Sequence, residues 1–117
     1  MRPLYFSEAS RSDIVSILRW TKEKFGEDTA HRYRILIEVA LDEIRHDWKA
    51  VGVEKLDFAE GIKKYALHWS SQTAKIDGKI ISKPRHVIYF KHLIAPNRIE
   101  VVRVLHEKMD PEFLRSS

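Results

Sequence analysis

The amino-acid sequence predicts a two-layer α+β protein in which an αα-hairpin packs on a small antiparallel sheet. The expected order is β-α-α-β-β-β, with an inserted hairpin or loop at about 70–84. Three observations predict it. Two helical apolar stripes stand in the first half, separated by only two or three residues. A period-two segment comes next, near residue 65. Two runs rich in β-branched and aromatic residues then fill positions 85–105.

Each element has its own signal. Pro3-Leu4-Tyr5-Phe6 is a short apolar run of strand type. Ser7 or Ser10 can cap a first helix, in which Ile14, Ile17, Leu18, Thr21 and Phe25 recur at helical spacing until Gly26. Asp28 is a good N-cap for a second helix with the stripe Ala30, Tyr33, Ile37, Ala40, Leu41 and Ile44. So short a link makes the helices antiparallel neighbours. Glu38, Asp42, Arg45 and Lys49 fall on the solvated face.

Residues 50–62 contain Gly52 and Gly61 and read as a connection. Tyr65, Leu67 and Trp69 alternate with polar or small residues, which predicts a half-buried strand. Asp77-Gly78 in the polar stretch 70–84 is a hairpin-turn signal, expected at the tip of a protrusion. Arg85 to His92 reads as a central strand buried on both faces, Pro96-Asn97 as a turn, and Ile99 to Leu105 as another strand. Asp110-Pro111 are placed to start a short helix. Val87, Tyr89, Val101, Val102, Ile14, Leu18, Ile37 and Ile44 are the expected core.

Length and composition exclude several classes. A chain of 117 residues fits one domain, residues 1–117, large enough for a real core. It holds no cysteine, which removes disulfides, zinc thiolate sites and cysteine nucleophiles. No run is long and apolar enough for a membrane helix, and residues 1–10 lack the apolar region of a signal peptide. A cytoplasmic protein with no membrane association is therefore expected. Charge is uneven: residues 1–60 hold ten basic and twelve acidic side chains, whereas 61–108 hold ten basic and three acidic ones. A basic second half points to an acidic partner, or to no more than a solvated lysine-rich face.

Chemistry-bearing motifs are sparse. Four scattered glycines form no phosphate-binding loop, and no serine sits in a G-x-S-x-G elbow. No cofactor is expected. No metal is expected either, because the six histidines show no i, i+4 pair, although His86, His92 and His106 can approach across strands. Lys64, His68, Arg85, His86, Arg103, His106 and Lys108 are the groups available to a metal-free nuclease. The plainer reading of that set is an electrostatic rim. Trp20, Trp48 and Trp69 have faces that stack bases, but their spacing reads first as core or partner-facing.

Arg85-His86-Val87-Ile88-Tyr89-Phe90, followed by Ile99-Glu100-Val101-Val102-Arg103-Val104-Leu105-His106-Glu107-Lys108-Met109-Asp110, closely resembles the C-terminal signature of ParE toxins. That signature reads R-H-V-I-F-Y-R, a short turn, then I-x-V-V-R-V-L-H-x-x-M-D. Phe25-Gly26-Glu27 and Ala30-His31-Arg32-Tyr33 are similar to the family's mark between the two helices. The resemblance to the RelE/ParE superfamily covers nearly the whole chain and departs at residues 70–84, where most relatives have only a few residues.

The resemblance implies the toxin component of a type II toxin–antitoxin system, forming a hetero-oligomer with an acidic, ParD-like antitoxin. ParE-like members are described as DNA gyrase poisons, and RelE-like members as ribosome-dependent mRNA endonucleases. Aligned on the strands, the lysine, arginine and tyrosine positions of the nucleases fall here at or near Ala66, His68, His86, Glu107 and Phe113. That set is dismantled, which favours gyrase inhibition without catalytic residues. Some superfamily nucleases use histidines, and on that alternative Arg85, His86, Arg103 and His106 would be catalytic. A degenerate member that only binds its antitoxin is a further alternative. Expected contacts to target or antitoxin are Arg85, His86, Tyr89, Arg103, His106, Lys108, Met109 and Asp110.

Overall fold

The computed structural model describes residues 2–49, 52–56 and 61–109. Asp110, the short helix expected after it and Phe113 lie outside the described residues. Strand β1 (Leu4–Phe6) leads into helix α1 (Glu8–Phe25) and then helix α2 (Glu27–His46). Strands β2 (Val53–Lys55), β3 (Lys63–Ala66), β4 (His86–Ile94) and β5 (Asn97–His106) come after them, with a 3₁₀ turn at Leu67–Ser70. The sheet order is β1-β5-β4-β3-β2, so the strand that starts at His86 is central, as its apolar run predicts.

Ser7 starts α1 by accepting a hydrogen bond from the Ser10 amide at 2.9 Å. Gly26, at φ +93°, is the only residue between the helices, and its amide closes α1 on the Lys22 carbonyl. The helical hairpin covers one face of the sheet. Leu36, Ile37, Ala40 and Ile44 of α2 meet Ile88 and Phe90 of β4 and Ile99, Val101 and Val104 of β5. Alternate β4 residues turn the other way, and Val87 and Tyr89 join Ile62 and Leu105 in a smaller cluster. Burial on both faces explains why β4 reads as a continuous apolar run.

The structure corrects several expectations. The sheet is mixed: β1 runs parallel to β5. No hairpin joins these two strands, so no turn forces them antiparallel. Their orientation is set by the handover into α1, where the Ser7 amide donates to the Val101 carbonyl and the Ser7 hydroxyl to the Val102 carbonyl. Residues 53–55, read as connection, form edge strand β2 beside β3. Three residues with two exposed charges carry no readable period.

The alternation at Tyr65, Leu67 and Trp69 overshoots. The strand stops at Ala66, and the Tyr65 hydroxyl hydrogen-bonds Ser70 Oγ at 2.9 Å across the 3₁₀ turn. Val102 is half-buried because the ladder shifts there: Tyr89 pairs with Arg103 but Phe90 with Val101. Ile14 and Leu18 only flank the core, and Ile17 is the buried member of their stripe. Arg45 leaves the solvated face and donates through Nε to the Arg2 carbonyl.

The 70–84 segment forms its turn at Asp77-Gly78, both at positive φ, between bridged Ile76 and Lys79. It is not a simple protrusion. Ala74 and Ile81 pack on the main core, and Ser70, Ser71 and Pro84 are buried. Among the described residues no helix is long and apolar enough to cross a membrane.

Candidate functional site

The β4–β5 ladder opens at His86 and His106, which are register partners. Their rings meet edge to face with centroids 5.5 Å apart. The helical stripe that packs α2 on the sheet brings Tyr33 onto the same spot. Its hydroxyl lies 2.6 Å from His86 Nδ1, and the rings are again edge to face. Tyr33 thus continues a core stripe and ends it in a polar contact, as buried tyrosines do.

Electrostatics separate the three groups. Burial lowers His86 to a pKa of about 4, with repulsion from His106 adding to it and Glu107 opposing it. Burial raises Tyr33 to about 12, against hydrogen bonding from the backbone of Arg85 and His86. Both are therefore neutral near pH 7. A neutral Tyr33 hydroxyl that donates to His86 Nδ1 puts the His86 ring proton on Nε2. The Lys108 amide likewise donates to His106 Nδ1 at 3.1 Å.

The cluster lines a cleft of about 550 Å³ between the helical hairpin and the 80–83 segment. Trp20, Phe25, Ile80 and Ile81 form its apolar walls. Lys83, Arg85, His86 and His106, with Thr21, Thr29, Tyr33 and Ser82, supply its polar lining. Trp20 and Phe25 contact each other edge to face at 5.7 Å, and both are more than half exposed, at 51% and 63%. Exposed aromatic edges beside a concavity are what a binding site needs and a core does not.

The remaining expected site residues divide. Arg85 pairs with Glu107 at 2.7 Å, and that bond holds the Glu107 carboxyl below its ordinary range. Arg103 does not line the cleft. It grips Asp13 of α1 through two bonds of 2.7 and 2.9 Å, while the Val104 amide donates to the same carboxylate. That pairing raises the Arg103 pKa further and ties β5 to α1. Tyr89 is buried in the smaller cluster. Lys108 and Met109 are exposed just past β5. Lys64 pairs with Glu54, and His68 packs beside Trp69, so neither joins the cleft.

His92 does not meet the other two histidines. It stacks on Trp48 at 4.4 Å and donates to Asn97. Among the described residues no group of three or more His, Asp or Glu side chains is placed to hold a metal ion. Sequence reasoning puts Tyr33 in the core stripe and misses its contact with His86. It also misses the Trp20–Phe25 wall and Asp13 as the partner of Arg103. The available signal is Trp20, which lies off the apolar stripe of α1 and so needs its own explanation. Comparison with protein-family models and with curated proteins finds no match.

Proposed function

We propose that the chain is a ParE-like toxin of the RelE/ParE superfamily that acts in the cytoplasm by binding DNA gyrase and is neutralised by an acidic antitoxin. One observation supports binding over bond cleavage. Both arginines that a nuclease would turn on phosphate are already engaged by carboxylates, Arg85 by Glu107 and Arg103 by Asp13. Freeing Arg103 would leave a largely buried carboxylate on α1 without its cation, which costs about 3 kcal/mol. The ParE-type signature runs along one ladder, β4 and β5, and passes into exposed Lys108 and Met109, which suit protein contact. The test is supercoiling by purified gyrase without ribosomes: the toxin inhibits it, and it leaves mRNA intact in a translating extract.

The Tyr33–His86–His106 cluster favours a second reading, a metal-free ribonuclease. Two imidazoles in edge-to-face contact and a tyrosine hydroxyl lining one cleft are the kinds of group a metal-free ribonuclease uses for proton transfer. RNA cleavage that disappears with His86→Ala or His106→Ala would replace the gyrase reading with this one.

A further inference from the structure

The cleft is more than a gap between layers. Its lining mixes aromatic and aliphatic side chains with Lys83, Arg85, His86 and His106, and its volume suits a small molecule. Part of it is built by Ile80, Ile81 and Lys83, from the 70–84 segment in which this chain departs from the toxins it resembles. The nitrogen-bearing side chains of the lining are donors or cations, and they stand beside Thr21, Thr29, Tyr33 and Ser82. The hydroxyl of Tyr33 occupies Nδ1 of His86, and the Lys108 amide occupies Nδ1 of His106. In that tautomer each ring keeps its proton on Nε2, and both rings line the cleft. Lys83 adds an ammonium that makes no ion pair among the described residues. The nearby carboxylate, Glu107, is held by Arg85 and lies outside the lining.

We infer that the cleft binds a small amphipathic anion, an aromatic or branched apolar body carrying one carboxylate-type head, with the head toward His86, His106 and Lys83 and the body between Trp20, Phe25, Ile80 and Ile81. The Lys83 ammonium beside the two imidazoles favours an anionic head over a neutral one of the same shape, because a hydrogen bond between charged groups is the stronger kind. The apolar walls give affinity and the polar groups give orientation. The site is independent of the toxin reading and holds whether the protein binds gyrase, cuts RNA or does neither.

Calorimetric titration with 2-naphthoate, against the neutral 2-naphthamide, tests it. Naphthoate binds one site with a Kd below about 1 mM, and about tenfold tighter than the amide. Lys83→Gln and His106→Gln bring the acid down to the level of the amide and leave the amide unchanged. Trp20→Ala and Phe25→Ala weaken both ligands. Trp20, Phe25 and Lys83 are exposed, so those variants keep the fold, which circular dichroism checks. Equal affinity for acid and amide, or wild-type affinity in the Trp20 and Phe25 variants, overturns the inference. So does tighter competition for the cleft by an acidic, aromatic peptide blocked at both ends, which makes it a peptide dock.

Discussion

The β4–β5 ladder has a histidine near each end, and the two ends differ in kind. At the open end His86 is bonded to Tyr33, lies against His106 and lines the cleft. At the turn end His92 lies flat on Trp48, with Lys49 and Lys63 also over that indole at 4.8 and 5.2 Å. One helix and the chain just past it supply both partners. From Tyr33 to the end of α2 the helix rises about 20 Å, and the strand from His86 to His92 also spans about 20 Å. The two ends teach that position on a strand does not give a histidine its chemistry. What the neighbouring helix brings to it does: a hydroxyl in a buried pocket, or a half-exposed ring among lysines.

The largest break in the comparison comes from removing each partner. Tyr33→Ala opens a cavity at a buried site and strips His86 of its hydrogen bond, so it costs about 3–5 kcal/mol in denaturant unfolding. Trp48→Ala removes a half-buried ring and costs about 1–2 kcal/mol. Equal losses would mean that the two ends are held alike.

The next effect is in pH. Because the folded protein disfavours the charged form of His86, the unfolded chain binds the proton first. Stability contributed by keeping this ring neutral is complete above its ordinary pKa of 6.5 and is lost as pH falls to about 4. Discounted for the partial exposure of the ring, the loss is about 2 kcal/mol. His86→Gln removes that part of the acid limb, whereas His92→Gln leaves it. Parallel stability–pH curves for wild type and His86→Gln would end the distinction.

Much of the fold is legible in the sequence. The helical stripes, the glycine between them and the two apolar strands are dense local signals, and each element they mark is present. The illegible parts depend on distant pairing. Nothing local in Leu4–Phe6 tells it to run parallel to β5, and nothing in Val53–Lys55 marks it as a strand, because both are three-residue edges. The site is half legible. His86 and His106 come together by strand pairing once the turn is known. Tyr33, Trp20 and Asp13 require knowing which face of each helix meets which strand, and a stripe shows only that some face is apolar.

Tyr33→Phe is a finer probe of the open end. It keeps the ring and deletes the hydrogen bond, so it costs about 1 kcal/mol. Nitrogen NMR of His86 reads the same bond directly: Nδ1 is the unprotonated nitrogen in the wild type. A protonated Nδ1 in the neutral ring would reverse the donor and acceptor assigned at this contact.

The smallest effect sharpens the turn end. Lys63 reaches Trp48 from β3 and Lys49 from the chain just past α2, so one ring faces two ammonium groups and a stacked imidazole. Two cations over one indole repel each other, and solvent reaches the site, so neither contact attains the strength of a desolvated cation–π pair. Lys63→Ala costs about 0.5 kcal/mol, and Lys49→Ala no more. The double variant costs more than the sum, because each single removal also relieves the repulsion on the cation that stays. A double-mutant cycle in denaturant, run on Trp48 and on Trp48→Leu backgrounds, checks this. If the lysine effects persist without the indole, the lysines act through some contact other than the ring, and the turn end is organised by charge rather than by Trp48.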